Sequence, residues 1–227
     1  MEKVLFCWSG GKDSAMALYE LQTSQEYEVM SLLTTITEGY DRVSLHGVRR
    51  TLIEQQAQSL GLPLKEVFIP QNCSNQEYES KMRATLTTFR ESAVSRVAFG
   101  DVFLEEVRKY REDNLSQLDM EGLFPLWERD SAELVRSFIA LDFQAITTCV
   151  DAKALDSNFV GRILNREFLA DLPANVDPAG ENGEFHSFVF DGPIFSKRID
   201  YTLGSLVHRD SLYFCDLLPV SKKSSGG

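Results

Sequence analysis

The chain has no C-x-x-C pair, no long apolar run and too few basic residues to balance its acids. Its four cysteines, Cys7, Cys73, Cys149 and Cys215, stand far apart. That argues against a zinc knuckle or a dithiol redox site and fits isolated thiols in a reducing cytoplasm. No apolar stretch approaches the length of a membrane span, so no membrane partner is expected. The N-terminal apolar run is short and ends in a glycine pair, so no signal peptide is expected. Lys and Arg number 23 against 34 Asp and Glu, a formal charge of −11. This balance opposes unaided binding to a nucleic-acid backbone, although a local basic patch remains compatible with it. Repeats and low-complexity linkers are absent too, as is the G-x-x-x-x-G-K-[ST] spacing of the ordinary P-loop.

What is present is a globular composition, 43% hydrophobic and 25% charged over 227 residues, enough for one large domain or two modest ones. Short apolar runs alternate with amphipathic stretches in the first half, the pattern of a parallel sheet covered by helices and hence an α/β fold. Strands are expected over Lys3–Ser9, Glu28–Thr35, Leu64–Pro70 and Arg96–Val102. Helices are expected over Gly47–Leu60, Gln76–Ala93 and Phe103–Gln117. Leu123–Trp127 contains Pro125 and reads as an edge strand or an extended linker. The second half reads as helix over Ser131–Asp142, strand over Gln144–Val150, helix over Phe159–Ala170 and strand over Phe185–Phe190. A final hairpin turns at His208-Arg209-Asp210. These elements divide into residues 1–128, residues 129–220 and a polar tail, 221–227, with the two halves sharing a cleft.

Ser9-Gly10-Gly11-Lys12-Asp13-Ser14 follows the strand Val4–Trp8 and precedes a helix-like stretch. Two glycines let backbone N–H groups approach a phosphate, and the helix N-terminus adds a favourable dipole. Lys12 supplies a point charge, and Ser9 and Ser14 supply hydroxyls. The segment resembles the pyrophosphate-binding loop of the PP-loop ATP pyrophosphatases, which cleave ATP between its α and β phosphates.

Three other groups carry chemistry. Gly100-Asp101 follows the fourth strand and projects toward the same rim, where Asp101 either binds Mg²⁺, contacts the ribose, orients Lys12, or caps a helix. Asp13 either joins the site or stabilises the helix terminus. His46 and the neighbouring Arg49 and Arg50 open a helix, where an anionic partner would offset their clash with its dipole; solvated side chains are the alternative. Gly180-Glu181-Asn182-Gly183-Glu184-Phe185-His186-Ser187 packs two carboxylates, an amide, an imidazole and a hydroxyl into eight residues. That density favours a substrate site over an ordinary polar turn.

With Glu121–Trp127, these segments resemble the diphthine–ammonia ligase (diphthamide synthase) family of PP-loop ATPases across nearly the whole chain. Glu181–Ser187 corresponds to the family's E-G-G-E-[FY]-E/H-T signature. The resemblance implies an adenine-nucleotide-hydrolase-like, Rossmann-like N-terminal domain and a smaller α+β C-terminal domain, with ATP between them. Ser9, Gly10, Gly11, Lys12, Asp13, Ser14, Gly100 and Asp101 are then expected to bind ATP, with Mg²⁺ at Asp101. Lys12, Glu181 and Glu184 are expected to be catalytic, and His46, Asn182, Gly183, His186 and Ser187 to bind substrate. The expected reaction is AMP-forming ligation of a small-molecule or protein carboxylate to ammonia or an amine. Asn182 stands where the diphthamide branch has glycine, and His186-Ser187 replaces glutamate-threonine. The pattern is closer to the family's bacterial branch, which lacks diphthamide, so the acceptor is open. Nucleic acid is not an expected partner, a homodimer is compatible, and a cytoplasmic location is expected. The competing readings are a tRNA-modifying PP-loop enzyme and a nucleotide-binding regulatory module without turnover.

Overall fold

The computed structural model describes residues 1–44 and 47–220; His46 and the 221–227 tail lie outside the described residues. Two sheets make up the fold. The first is built around β1 (Glu2–Cys7), whose Val4, Leu5 and Phe6 are fully buried. A continuous apolar run of this kind is what a central parallel strand needs, since helices cover both of its faces. β1 pairs in parallel with β2 (Tyr27–Thr37) and with β5 (Arg96–Ala98). β2 pairs in parallel with β4 (Leu64–Ile69), and β5 with β6 (Glu121–Leu123). The parallel order is therefore β4-β2-β1-β5-β6, and its direction of growth reverses between β1 and β5.

A two-residue strand, β3 (Arg42–Val43), pairs antiparallel with the end of β2. The Trp8 N–H donates to Leu33 O and the Ser44 N–H to Thr35 O, two residues further along the same edge. β3 thus takes up where β1 stops, a feature with no signal in the hydrophobic pattern. The connecting helices are α1 (Lys12–Ser24), α2 (Arg50–Leu60), α3 (Asn75–Glu91) and α4 (Glu105–Ser116). Ser74 and Glu77 form a capping box that starts α3. The edge strand expected over Leu123–Trp127 ends at Leu123, and the chain turns through Pro125.

The second sheet is antiparallel, in the order β8-β7-β10-β9, from β7 (Gln144–Asp151), β8 (Phe185–Asp191), β9 (Tyr201–Arg209) and β10 (Leu212–Pro219). α5 (Ser131–Ala140) leads into it, with Asp130 accepting from the Glu133 N–H as its cap. The helix expected over Phe159–Ala170 is confined to α6 (Arg166–Asp171). Residues 161–164 run beside β7 instead, with the Gly161 N–H on Thr147 O, the Thr147 N–H on Arg162 O and the Leu164 N–H on Ala145 O. Backbone groups committed to a strand are not available to a helix, so α6 begins only after Asn165 caps it.

One buried cluster joins the α1 and α2 faces of the first sheet to α5, β7 and β8 of the second. At its centre is Gln56 of α2, fully buried. Its Oε1 accepts from Trp8 Nε1 at 2.8 Å, and its Nε2 donates to Gly10 O at 3.0 Å and Val189 O at 2.6 Å. The Val189 N–H also donates to Gly10 O, so β8 is hydrogen-bonded directly to the loop after β1. No described helix is long and apolar enough to cross a membrane.

Candidate active site

In an open parallel sheet the crevice for a ligand lies outside the carboxyl ends of the strands, where strand order reverses. Here that point lies between β1 and β5, and a cavity of about 380 Å³ opens there. Three walls enclose it. The loop Ser9–Ser14 and the segment Gly100, Asp101 and Leu104 form the first. Thr34, Thr35, Val43 and Ser44, at the ends of β2 and β3, form the second. The third comes from the other half of the chain and includes Glu181, Gly183, Phe185, His186 and Ser187.

The Ser9–Ser14 loop is shaped by its glycines. Gly10 has φ +81°, and a Cβ there would lie 2.5 Å from Ile53 Cδ1. Gly10 is thus a conformational and packing residue and does not line the cavity. Gly11 caps α1 without a side-chain hydrogen bond. Ser9 Oγ accepts from the Gly11 N–H and lies 3.1 Å from Ser14 Oγ, which donates to Gly11 O. Gly100 packs against the first turn of α1: a Cβ on it would sit 2.9 Å from Asp13 C and Ser14 N.

Lys12 is 4% exposed. Its Nζ reaches both carboxylate oxygens of Asp13 and lies 5.5 Å from the centre of the Phe185 ring. The Lys12 N–H donates to Ser187 Oγ at 3.2 Å, so β8 closes over the helix start. Burial raises the Asp13 carboxyl above its usual range, against the opposing pull of Lys12.

Glu181 faces the same space. Burial first, and the Asp13 charge second, push its carboxyl up to about 8, against the attraction of Lys12; Asp101 adds to the rise. His186 is held neutral, its imidazole pushed down to about 4 by burial and then by the Lys12 charge. Cys7 also lines the cavity, but burial lifts its thiol to about 12, which removes it as a nucleophile at neutral pH.

Two sequence expectations change. Glu184 is 8% exposed and lies off the cavity lining. Its Oε1 accepts from the Asp177 N–H and Asn182 Nδ2, and its Oε2 from the Asn182 N–H. Burial alone would raise its carboxyl, but these hydrogen bonds hold it below the usual range. Glu184 is the brace of the 177–184 loop. Asn182 belongs to that brace through its amide and does not line the cavity.

Asp101 meets Arg111 with both oxygens: Nη2 donates to Oδ1 at 3.0 Å, and Nε lies 2.6 Å from Oδ2 in an ionic contact. Among the described residues no three His, Cys, Asp or Glu side chains converge as a metal cluster. Mg²⁺ commonly uses one or two carboxylates together with substrate phosphates. Glu181, crowded by Asp13 and Asp101, fits that mode, because a cation there would relieve the repulsion that raises its pKa.

Sequence reading missed Arg111, Tyr78, Phe99 and Thr34. Thr34 Oγ1 is buried without a hydrogen-bond partner among the described residues, an unsatisfied oxygen in the wall of the cavity. Its position, seven residues into β2, gave no local signal.

A family model described as the diphthamide synthase N-terminal domain matches residues 2–121, and one described as the diphthamide synthase C-terminal domain matches residues 130–216. A rat protein named diphthine–ammonia ligase is 24% identical over 213 residues, covering 84% of this chain and 79% of the relative. A Schizosaccharomyces pombe protein of the same name is 26% identical over 236 residues, covering 95% of this chain but 38% of the relative. A solved structure, described as a predicted subunit of tRNA methyltransferase from Methanocaldococcus jannaschii, aligns with a TM-score of 0.40 at 16% identity, covering 69% of this chain and 81% of that one.

Proposed function

The chain belongs to the diphthamide synthase family, and on that premise we propose that it is an ATP-dependent ligase that adenylates a substrate carboxylate and transfers the acyl group to ammonia or an amine. The observation that carries this reading is the meeting of Lys12 and the Ser9–Ser14 loop with Glu181 in one cavity at the strand-order reversal.

The Ser9 and Ser14 hydroxyls and the start of α1 bind the phosphates, and Lys12 exchanges its contact with Asp13 for a phosphate oxygen. An acceptor carboxylate oxygen then attacks the α-phosphorus. The bond to the bridging αβ oxygen breaks, pyrophosphate leaves with the electron pair, and an acyl-adenylate forms. Lys12 stabilises the charge that gathers on the departing group. Mg²⁺, held by Glu181 together with the phosphates, would neutralise phosphate charge. Nitrogen next attacks the acyl carbon, the bond to the AMP oxygen breaks, and the nitrogen gives up a proton. Glu181 positions the amine, and the proton that the nitrogen gives up passes to solvent. Neutral His186 and Ser187 line the acceptor side without adding charge. Asn182 and Ser187 depart from the family signature, which supports an acceptor other than diphthine.

The test is to incubate the purified protein with ATP, Mg²⁺, ammonium and a metabolite extract. AMP and pyrophosphate are expected in equal amounts with the unaltered protein, and neither above background with Glu181→Gln. ADP as the nucleotide product would refute the reading.

A further inference from the structure

A smaller cavity, about 60 Å³, lies between α3 and α4, with Leu86, Leu115 and Leu118 in its wall. It shares Tyr78, Met82, Phe99 and Arg111 with the main cavity, so the two adjoin along that wall. Its polar groups are engaged on the outer side: Tyr110 donates to Glu79, and Arg83 pairs with Gln117. Arg111 stands at the junction with its guanidinium 4.3 Å from the Phe99 ring centre. Its contacts with Asp101 use Nε and Nη2. Nη1 has no hydrogen-bond partner among the described residues, which leaves a cationic donor where the apolar space meets the phosphate site.

We propose that this side cavity receives the apolar body of the acceptor, while Arg111 holds the acceptor's carboxylate beside Gly100 and the Ser9–Ser14 loop. The inference rests on the ligase reading above and names its substrate class: a monocarboxylate with a compact apolar body. Guanidinium suits a carboxylate through its planar array of donors. Size limits the body. A space of 60 Å³ takes about four to six water-sized positions, enough for a short aliphatic chain.

The test uses straight-chain monocarboxylates from acetate to octanoate, and the n-alkanols of matching length, titrated into the full chain with α,β-methylene ATP bound. Affinity for the acids is expected to rise about fourfold per methylene, the ratio that about 0.8 kcal/mol gives, and then to level off once the cavity is full. Alkanols of equal length should bind at least tenfold more weakly, and Arg111→Gln should erase that gap. Leu86→Trp fills the cavity from its buried wall, and Asn114→Trp from its half-buried rim; each should flatten the chain-length series. Both should still bind α,β-methylene ATP, which also reports that they are folded. A flat series in the unaltered protein with nucleotide bound overturns this inference alone. Failure of the unaltered protein to bind the nucleotide overturns the ligase reading and this inference with it.

Discussion

Lys12 Nζ lies 2.7 and 2.8 Å from the two carboxylate oxygens of Asp13, the next residue in the chain. Neighbours in a helix seldom face each other, yet this pair meets in the first turn of α1. The carboxylate shields a 5%-exposed ammonium that would otherwise be buried alone. Lys12→Met therefore strands Asp13 and should cost about 2–4 kcal/mol of stability, less than a fully buried pair because Asp13 keeps some exposure. Lys12→Met with Asp13→Asn should recover most of that loss in a thermal melt. AMP formation should stay at background in both, which separates the catalytic role of the lysine from its structural one.

Glu184 and Glu181 look equivalent in sequence and should behave differently on substitution. Glu184→Gln weakens charge-assisted hydrogen bonds within the 177–184 loop and should destabilise the protein by about 1.5–3 kcal/mol. At saturating substrates its AMP formation should fall less than tenfold. Glu181→Gln should keep the fold and lose more than a hundredfold in rate. Melting curves and initial rates on both variants check this.

The two shifted groups set opposite limbs of a stability profile. Glu181 keeps its proton in the folded state up to about 8, above its ordinary 4.5, so its contribution is complete below 4.5 and is lost as pH rises through 8. Glu181→Gln should therefore match the unaltered protein at pH 5 and melt at a higher temperature at pH 9, without ligands. His186 refuses a proton down to about 4, below its ordinary 6.5. Its contribution is present above 6.5 and is lost as pH falls through 4. His186→Asn should flatten that acid limb in the same melts.

Gln56 joins the phosphate loop to β8, and its amide is fully buried. Gln56→Leu leaves Trp8 Nε1 without its acceptor and removes a donor from Gly10 O and Val189 O. It should cost about 2–5 kcal/mol and should weaken ATP binding at a distance from the ligand, measurable by calorimetry.

Gly100→Ala forces a Cβ against the backbone of Asp13 and Ser14. Overpacking of about 1–3 kcal/mol is expected. Displacement of the α1 start should reduce AMP formation about a hundredfold, as misplacing a reacting group does.

The parallel core was readable because β1, β2 and β4 are dense apolar runs between helices with clear stop signals, such as the Gly61-Leu62-Pro63 that ends α2. The phosphate loop was readable because Gly10, Gly11 and Lys12 are adjacent in sequence. Long-range relations were not. The bond of Gln56 to residues 46 and 133 positions away, the short β3, and the pairing of residues 161–164 with β7 leave no periodic trace. The orientation of Glu184 was not readable, because composition shows that a carboxylate is present and not which way it points. Arg111 had no local signal, since its partner Asp101 lies ten residues away across a turn.

The central claim is that a carboxylate oxygen of the acceptor attacks the α-phosphorus of ATP in the Lys12–Glu181 cavity. The most direct test is to label the carboxylate of the acceptor recovered from the extract screen with ¹⁸O and follow the phosphorus products by mass spectrometry. Adenylation predicts one ¹⁸O in AMP and none in pyrophosphate. Label in inorganic phosphate, with ADP as the nucleotide product, would contradict it.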